Sequence, residues 1–217
     1  MTYVIVPGGG LCNRLRVLLS WLKKARSDGQ QLVVYWPVTA HCNGSFIRFF
    51  ESIPGVHVLQ KEPEPSRPID YSGLDACGPL EIGAIRPSPA LQERIDAIKA
   101  SLGPEYDAMH IRRTDLPAER DGNYIPDADF EQFVIDAADA PVYLATDNAD
   151  TQRRLLSTFG PEKIRTAATI TDRGALRQTS LDIAIIDIFV CAGAAYFKGT
   201  DGSSFTDFIE ALRADTR

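Results

Sequence analysis

Long apolar runs are missing from this 217-residue chain, and with them any sign of a membrane span. No stretch approaches the roughly 18 apolar residues that a spanning helix needs, because Lys23, Lys24 and Arg26 interrupt the run after Val17. Paired cysteines are missing too. Cys12, Cys42, Cys77 and Cys191 are scattered without CxxC spacing, so neither a zinc site nor a disulfide framework is signalled and four free thiols are expected. There is no excess of positive charge: a net charge of −6 lacks the broad basic surface that general nucleic-acid binding requires. Any site for a polyanion must therefore be local. A secretory pattern is absent as well, since Met1 to Pro7 has no basic start and runs into glycines, reading as a first strand. These absences together predict a protein of a reducing, cytoplasmic compartment.

What is present is a chain that is 44% hydrophobic, enough for one sizeable core or two smaller ones of about 100 residues each. Tyr3-Val4-Ile5-Val6 is short and β-rich, then Gly8-Gly9-Gly10 turns into Leu15, Leu18, Leu19 and Leu22 at helical spacing. Gln31 to Trp36 is a second strand, Ser45 to Ser52 a helical segment, and Val56 to Leu59 a third strand. From Lys61 to Ala90 the prolines multiply and the segment reads as irregular. Ser88-Pro89 supplies an N-cap and a first-turn proline for a helix carrying Leu91, Ile95, Ile98 and Leu102, predicted to bridge two halves. The second half repeats the grammar: strands at Tyr106 to Ile111, Val142 to Ala145 and Ala195 to Lys198, with helices at 127–137, 150–159, 181–192 and 205–212. Alternation of this kind predicts parallel sheets in two α/β domains, 1–103 and 104–217. Ligands of such sheets bind beyond the carboxyl ends of the strands.

Four constellations stand at those ends. Gly8 to Arg16 offers close backbone approach and free helix amides, or serves only as a tight turn. It lacks the third glycine and the acid of a dinucleotide fingerprint, and the Gly-Lys-Ser/Thr of a Walker loop. His110-Ile111-Arg112-Arg113-Thr114-Asp115 puts adjacent arginines at a strand end in an acidic chain, which suits a diphosphate. The competing reading is an Arg113–Asp115 ion pair beside a core histidine. Thr146-Asp147-Asn148 reads as a helix cap, and Gly199 to Phe205 as either a phosphate-holding helix start or an ordinary serine cap. Asp187, on an apolar helix, is a buried partnered acid, a residue facing the ligand, or a solvated one.

In this order the pieces resemble the superfamily of α-1,6-fucosyltransferases, nodulation fucosyltransferases and protein O-fucosyltransferases. His110-Ile111-Arg112-Arg113-Thr114-Asp115 is similar to that family's His-x-Arg-Arg-Thr-Asp signature. Gly9-Gly10-Leu11-Cys12-Asn13-Arg14, Ala145-Thr146-Asp147-Asn148 and the stretch from Asp187 to Ser204 support it. The resemblance implies two facing Rossmann-like domains of the GT-B type with a donor cleft between them. It also implies inverting transfer of fucose from GDP-fucose to a glycan or other hydroxyl acceptor, with no metal. Carried over by motif, Gly9 and Gly10 approach the donor and Asn13 lies near the reacting groups. Arg112 binds the β-phosphate and Arg113 supports it, His110 and Asp187 contact guanine, and Ser203 or Ser204 closes on the pyrophosphate. Cys12 stands where that loop commonly has glycine, and Leu116 where the α-1,6 enzymes carry a lysine. Glu119 and Asp121 are then the local candidates for the base that takes the acceptor proton. Three other readings compete. One is a metal-dependent transferase using Asp127-Ala128-Asp129, although that triplet also reads as the acidic start of a helix. The others are a transferase for another nucleotide sugar and a non-catalytic nucleotide-sugar or glycan-binding module.

Overall fold

The structure, a computed structural model, describes residues 2–61, 81–114, 125–171 and 179–215. The chain divides into two compact units, Met1–Ala90 with Ala214–Arg217, and Leu91–Arg213.

The first unit alternates β1 (Thr2–Ile5), α1 (Leu11–Ser27), β2 (Gln31–Tyr35), the short α2 (Phe46–Phe49) and β3 (Val56–Leu59). Its three strands are parallel in the order β1-β2-β3. The leucine stripe forms the inner face of α1: Leu15, Leu18, Leu19 and Leu22 are all buried. A 3₁₀ turn, Ile82–Ala84, lies among the described residues of the proline-rich segment that reads as irregular.

In the second unit α3 (Pro89–Leu102) starts at its proline, and it is followed by β4 (Asp107–Ile111), α4 (Asp127–Asp136), β5 (Val142–Thr146) and α5 (Ala149–Phe159). Then come β6 (Ile164–Arg165), α6 (Leu181–Ala192), β7 (Phe197–Lys198) and α7 (Ser204–Asp215). The helix expected to bridge the halves has Pro89 and Ala90 in the first unit and the rest in the second, where its Lys99 lies against Gly193 at the end of α6. Strand β6 was not expected, since two residues carry no period-2 signal.

The second sheet is also parallel, in the order β6-β5-β4-β7. From β4 the chain winds outward through β5 to β6 on one side, then returns to place β7 on the other. The carboxyl end of β4 is thus a topological switch point, where open α/β sheets leave a crevice. Every residue of β4 and β5 is buried, as expected for a parallel sheet covered on both faces. Side chains alternate across that sheet. Met109, Ile111, Val142 and Leu144 pack with Phe130, Val134 and Leu155 of α4 and α5. His110 and Tyr143 face the other way, and their side chains bond to α7 and α6 respectively.

No helix among the described residues is long and apolar enough to cross a membrane. Cys12, Cys42 and Cys191 are buried free thiols, while Cys77 lies outside the described residues.

Candidate functional site

His110 is the last but one residue of β4, and its ring is buried against the start of α7. Its Nδ1 lies 2.9 Å from Thr206 Oγ1, and the ring stacks on Phe205 with centroids 4.5 Å apart. Burial, aided by the Arg112 charge, lowers its pKa to about 3, so the imidazole is neutral at physiological pH. A neutral ring can offer hydrogen bonding and shape, not charge.

Two threonines tie this strand end to the loop after β7. Thr200 Oγ1 accepts the Arg112 N–H and donates to the His110 carbonyl, both at 3.0 Å. Thr206 Oγ1 accepts the Thr200 N–H at 3.1 Å. Residues some ninety positions apart in sequence thereby form one fixed unit. Gly199 is required beside it: a Cβ at that position would sit 2.1 Å from Thr206 Cγ2, which no side-chain shift of a buried threonine relieves.

Ser203, the residue before α7, is completely buried and its carbonyl accepts the Asp207 N–H at 2.9 Å. The backbone therefore has the N-cap arrangement, but the Ser203 Oγ makes no hydrogen bond. The ordinary serine cap is not what holds this helix start. A buried hydroxyl without a partner carries a desolvation cost of about 1–3 kcal/mol, which a ligand oxygen would relieve. Ser204 opens the helix itself.

The two arginines of the signature are anchored to different elements. Arg112 is half-buried just beyond β4, its main chain fixed by Thr200. The Arg113 guanidinium is directed to α4, donating to the Ile125 carbonyl at 2.7 Å and to Asp127 Oδ1 at 2.8 Å, with Phe130 beneath it. Asp127 also forms an ion pair with Arg154, Oδ2 to Nη2 at 2.8 Å. The first acid of Asp127-Ala128-Asp129 is thus a helix-start carboxylate shared by two arginines, and no metal-binding cluster of His, Cys, Asp or Glu occurs among the described residues. Asp115, the partner that sequence suggested for Arg113, lies outside the described residues, as do Leu116 and the base candidates Glu119 and Asp121.

Asp147 and Asn148 divide the work expected of a cap. Asn148 Oδ1 caps α5 through the Thr151 N–H at 2.8 Å. Asp147 accepts the Arg113 N–H at 2.8 Å and the Thr114 N–H, and its carbonyl accepts the Thr114 hydroxyl at 2.7 Å. It fixes the main chain of the signature.

Asp187 is buried on α6 and accepts the Tyr143 hydroxyl at 2.6 Å. Burial raises its pKa to about 7 despite that bond. It lines a pocket beyond β5 with Thr146, Gln152, Ala167, Ala168 and Ile183. This makes it the buried, partnered acid of the three sequence readings, and one that also faces a pocket.

In the first unit Gly9 adopts a φ of +76°, a left-handed conformation that suits glycine, and Asn13 Nδ2 lies 3.2 Å from where its Cβ would be. Gly10 precedes α1 in extended backbone and its carbonyl accepts the Arg14 N–H. Arg14 is almost wholly buried, donating to the Gly9 carbonyl, the Pro37 carbonyl and Thr39 Oγ1 while its guanidinium covers Trp36. It locks the glycine turn to the segment after β2. Sequence reading took Arg14 only as a letter of a motif and passed over Thr206, Tyr143 and Gln152. A threonine among the phenylalanines of an amphipathic helix was the available signal for Thr206, and an arginine in the leucine face of α1 for Arg14.

No protein-family model matches the chain, and no curated protein sequence matches it. Solved structures do. A structure of NodZ alpha-1,6-fucosyltransferase soaked with GDP-fucose aligns at a TM-score of 0.64 and 18% identity, over 98% of this chain and 93% of that one. Fucosyltransferase NodZ from Bradyrhizobium aligns at 0.66 and 18%, over 98% and 94%. POFUT1 in complex with GDP aligns at 0.65 and 14%, over 98% and 94%. The parallel sheets and their intervening helices are those of one known architecture, and the chain has the α/β fold of the fucosyltransferases NodZ and POFUT1.

Proposed function

We propose that this chain is an inverting glycosyltransferase that moves fucose from GDP-fucose to a glycan or other hydroxyl acceptor without a metal ion. One observation carries the reading: Thr200 and Thr206 bind the signature at the end of β4 to the start of α7, at a topological switch point. Arg112, the Ser203 hydroxyl and the α7 N-terminus all belong to that unit. An arginine, a helix N-terminus and an unsatisfied hydroxyl are what a departing diphosphate needs to spread its charge. The likeness to solved fucosyltransferases, some holding GDP-fucose or GDP, supports the same donor.

In this reading Arg112 binds the β-phosphate and stabilises it as the bond to the sugar breaks. Ser203, with Ser204, closes on the pyrophosphate. Neutral His110 and Asp187 recognise guanine. Arg113 acts by holding the signature against α4, a positioning role and not a phosphate contact. The acceptor oxygen attacks the sugar carbon from the face opposite the diphosphate. Its proton passes to a carboxylate, for which Glu119 and Asp121 are our candidates. Donor binding belongs to the second unit, while the first, with Asn13 and the Gly9-Gly10 turn, serves the acceptor.

The test is a panel of isotopically labelled nucleotide sugars incubated with the protein in EDTA, followed by release of free sugar. GDP-fucose should be hydrolysed slowly, and UDP- and ADP-sugars should not. Turnover that requires an added divalent cation, or that prefers another nucleotide, overturns the reading.

A further inference from the structure

Gln152 has no place in the reading above, yet it is among the most deeply buried polar side chains of the second unit, 3% exposed on the inner face of α5. Both ends of its amide are committed to main chain. Nε2 donates to the Ala168 carbonyl and Oε1 accepts the Ile170 N–H, each at 2.8 Å. The orientation of the amide is fixed by chemistry, because only the oxygen can accept an N–H. These two bonds clamp the segment that follows the edge strand β6. Among its described residues that segment pairs with no strand, so its shape depends on side chains: Gln152 from α5, and Tyr143 of β5, which bonds the Ala167 main chain.

The clamped segment and Asp187 line the same pocket: Ala167 and Ala168 come from the segment, Gln152 and Thr146 from α5 and β5, and Ile183 and Asp187 from α6. One carboxylic group therefore faces a wall of small side chains and main chain, and Gln152 sets where that wall stands. A purine ring is recognised by polar atoms at its edge and by close-fitting walls on its faces, and a wall displaced by 1 Å loses discrimination before it loses binding.

Resting on the donor reading above, we propose that Gln152 is the positioning residue of a nucleobase pocket, holding the 166–170 segment opposite Asp187 and so setting how strictly guanine is selected over other bases.

Calorimetric titration of the full chain with GDP, UDP and ADP tests this on the wild type and on Gln152→Met, which keeps volume and loses both bonds. Two hydrogen bonds correspond to about a tenfold to thirtyfold effect. Q152M should weaken GDP binding by about that factor and reduce the preference for GDP over ADP and UDP by about tenfold. Gln152→Glu, which can still accept the Ile170 N–H, should recover part of the preference. A purely structural role would lower the melting temperature and leave the preference unchanged, and that outcome overturns the inference. Should the variants fail to fold, amide exchange on the wild-type protein decides it. The Ile170 N–H should be protected and become more so with GDP, and an unprotected Ile170 amide would refute the clamp. A wild-type protein that binds no nucleotide sinks the donor reading itself; GDP binding with Q152M unchanged sinks only this inference.

Discussion

Replacing Arg113 by alanine tests whether the adjacent arginines have separate tasks. The Arg113 side chain is 11% exposed, and it donates to the Ile125 carbonyl and to Asp127, whose own side chain is 40% exposed. The ion pair is screened by solvent and is worth under about 1 kcal/mol, the more so because Asp127 keeps Arg154 as a partner. The charged bond to the Ile125 carbonyl contributes more, about 1.5–3 kcal/mol. Loss of the guanidinium over the Phe130 ring adds about 0.5–1 kcal/mol. Arg113→Ala should therefore destabilise the protein by about 3 kcal/mol, or roughly 6–12 °C in melting temperature for a chain of this size. Urea unfolding and calorimetry measure it. Arg112→Ala, made alongside, keeps the Thr200 bond to its main-chain N–H and should lose GDP affinity that Arg113→Ala largely retains. Equal stability of Arg113→Ala and the wild type, or full GDP affinity in Arg112→Ala, would refute the division of labour.

Two further variants probe the buried polar groups. Asp187 has a folded pKa raised to about 7 from 3.8, so its contribution to stability is full below about pH 4 and lost as pH rises through 7. His110 runs the other way, with a folded pKa of about 3 against 6.5 and a contribution lost as pH falls through that interval. Between about pH 4 and 6.5 the two slopes cancel in the wild type. Asp187→Asn removes one of them, and chemical unfolding across that window should show stability rising more steeply with pH than in the wild type. An unchanged pH profile would remove Asp187 from this balance. Ser203→Ala deletes a buried hydroxyl that has no partner, so it should melt at or above the wild-type temperature while weakening GDP binding about tenfold. A destabilised Ser203→Ala variant with full GDP affinity would show an ordinary cap.

The sequence made the alternation of strands and helices legible because each long element carries its own period: the leucines of α1, the proline at the start of α3, the cap at Asn148. The signature was legible as a strand end for the same reason. Its internal geometry was not. Which arginine turns to α4 depends on Asp127 and Ile125, more than ten residues away, and no local pattern encodes that approach. His110 and Thr206 meet across 96 positions, so their contact exists only once β7 has been laid beside β4. Ser203 shows the converse: local grammar offered a serine cap, and the folded helix start leaves its hydroxyl unpaired. Strand β6 is too short to announce itself, yet it leads into the segment that Gln152 holds.

The proposed function requires a metal-free GDP site built on Arg112 at the end of β4. Calorimetric titration with GDP in EDTA, on the wild type and on Arg112→Ala, tests it most directly. Binding to the wild type should be saturable, one-site and unaffected by EDTA, and should weaken at least tenfold in a still-folded Arg112→Ala, the loss expected for a charge-assisted phosphate contact. Binding that EDTA abolishes, or that survives intact in Arg112→Ala, would contradict it.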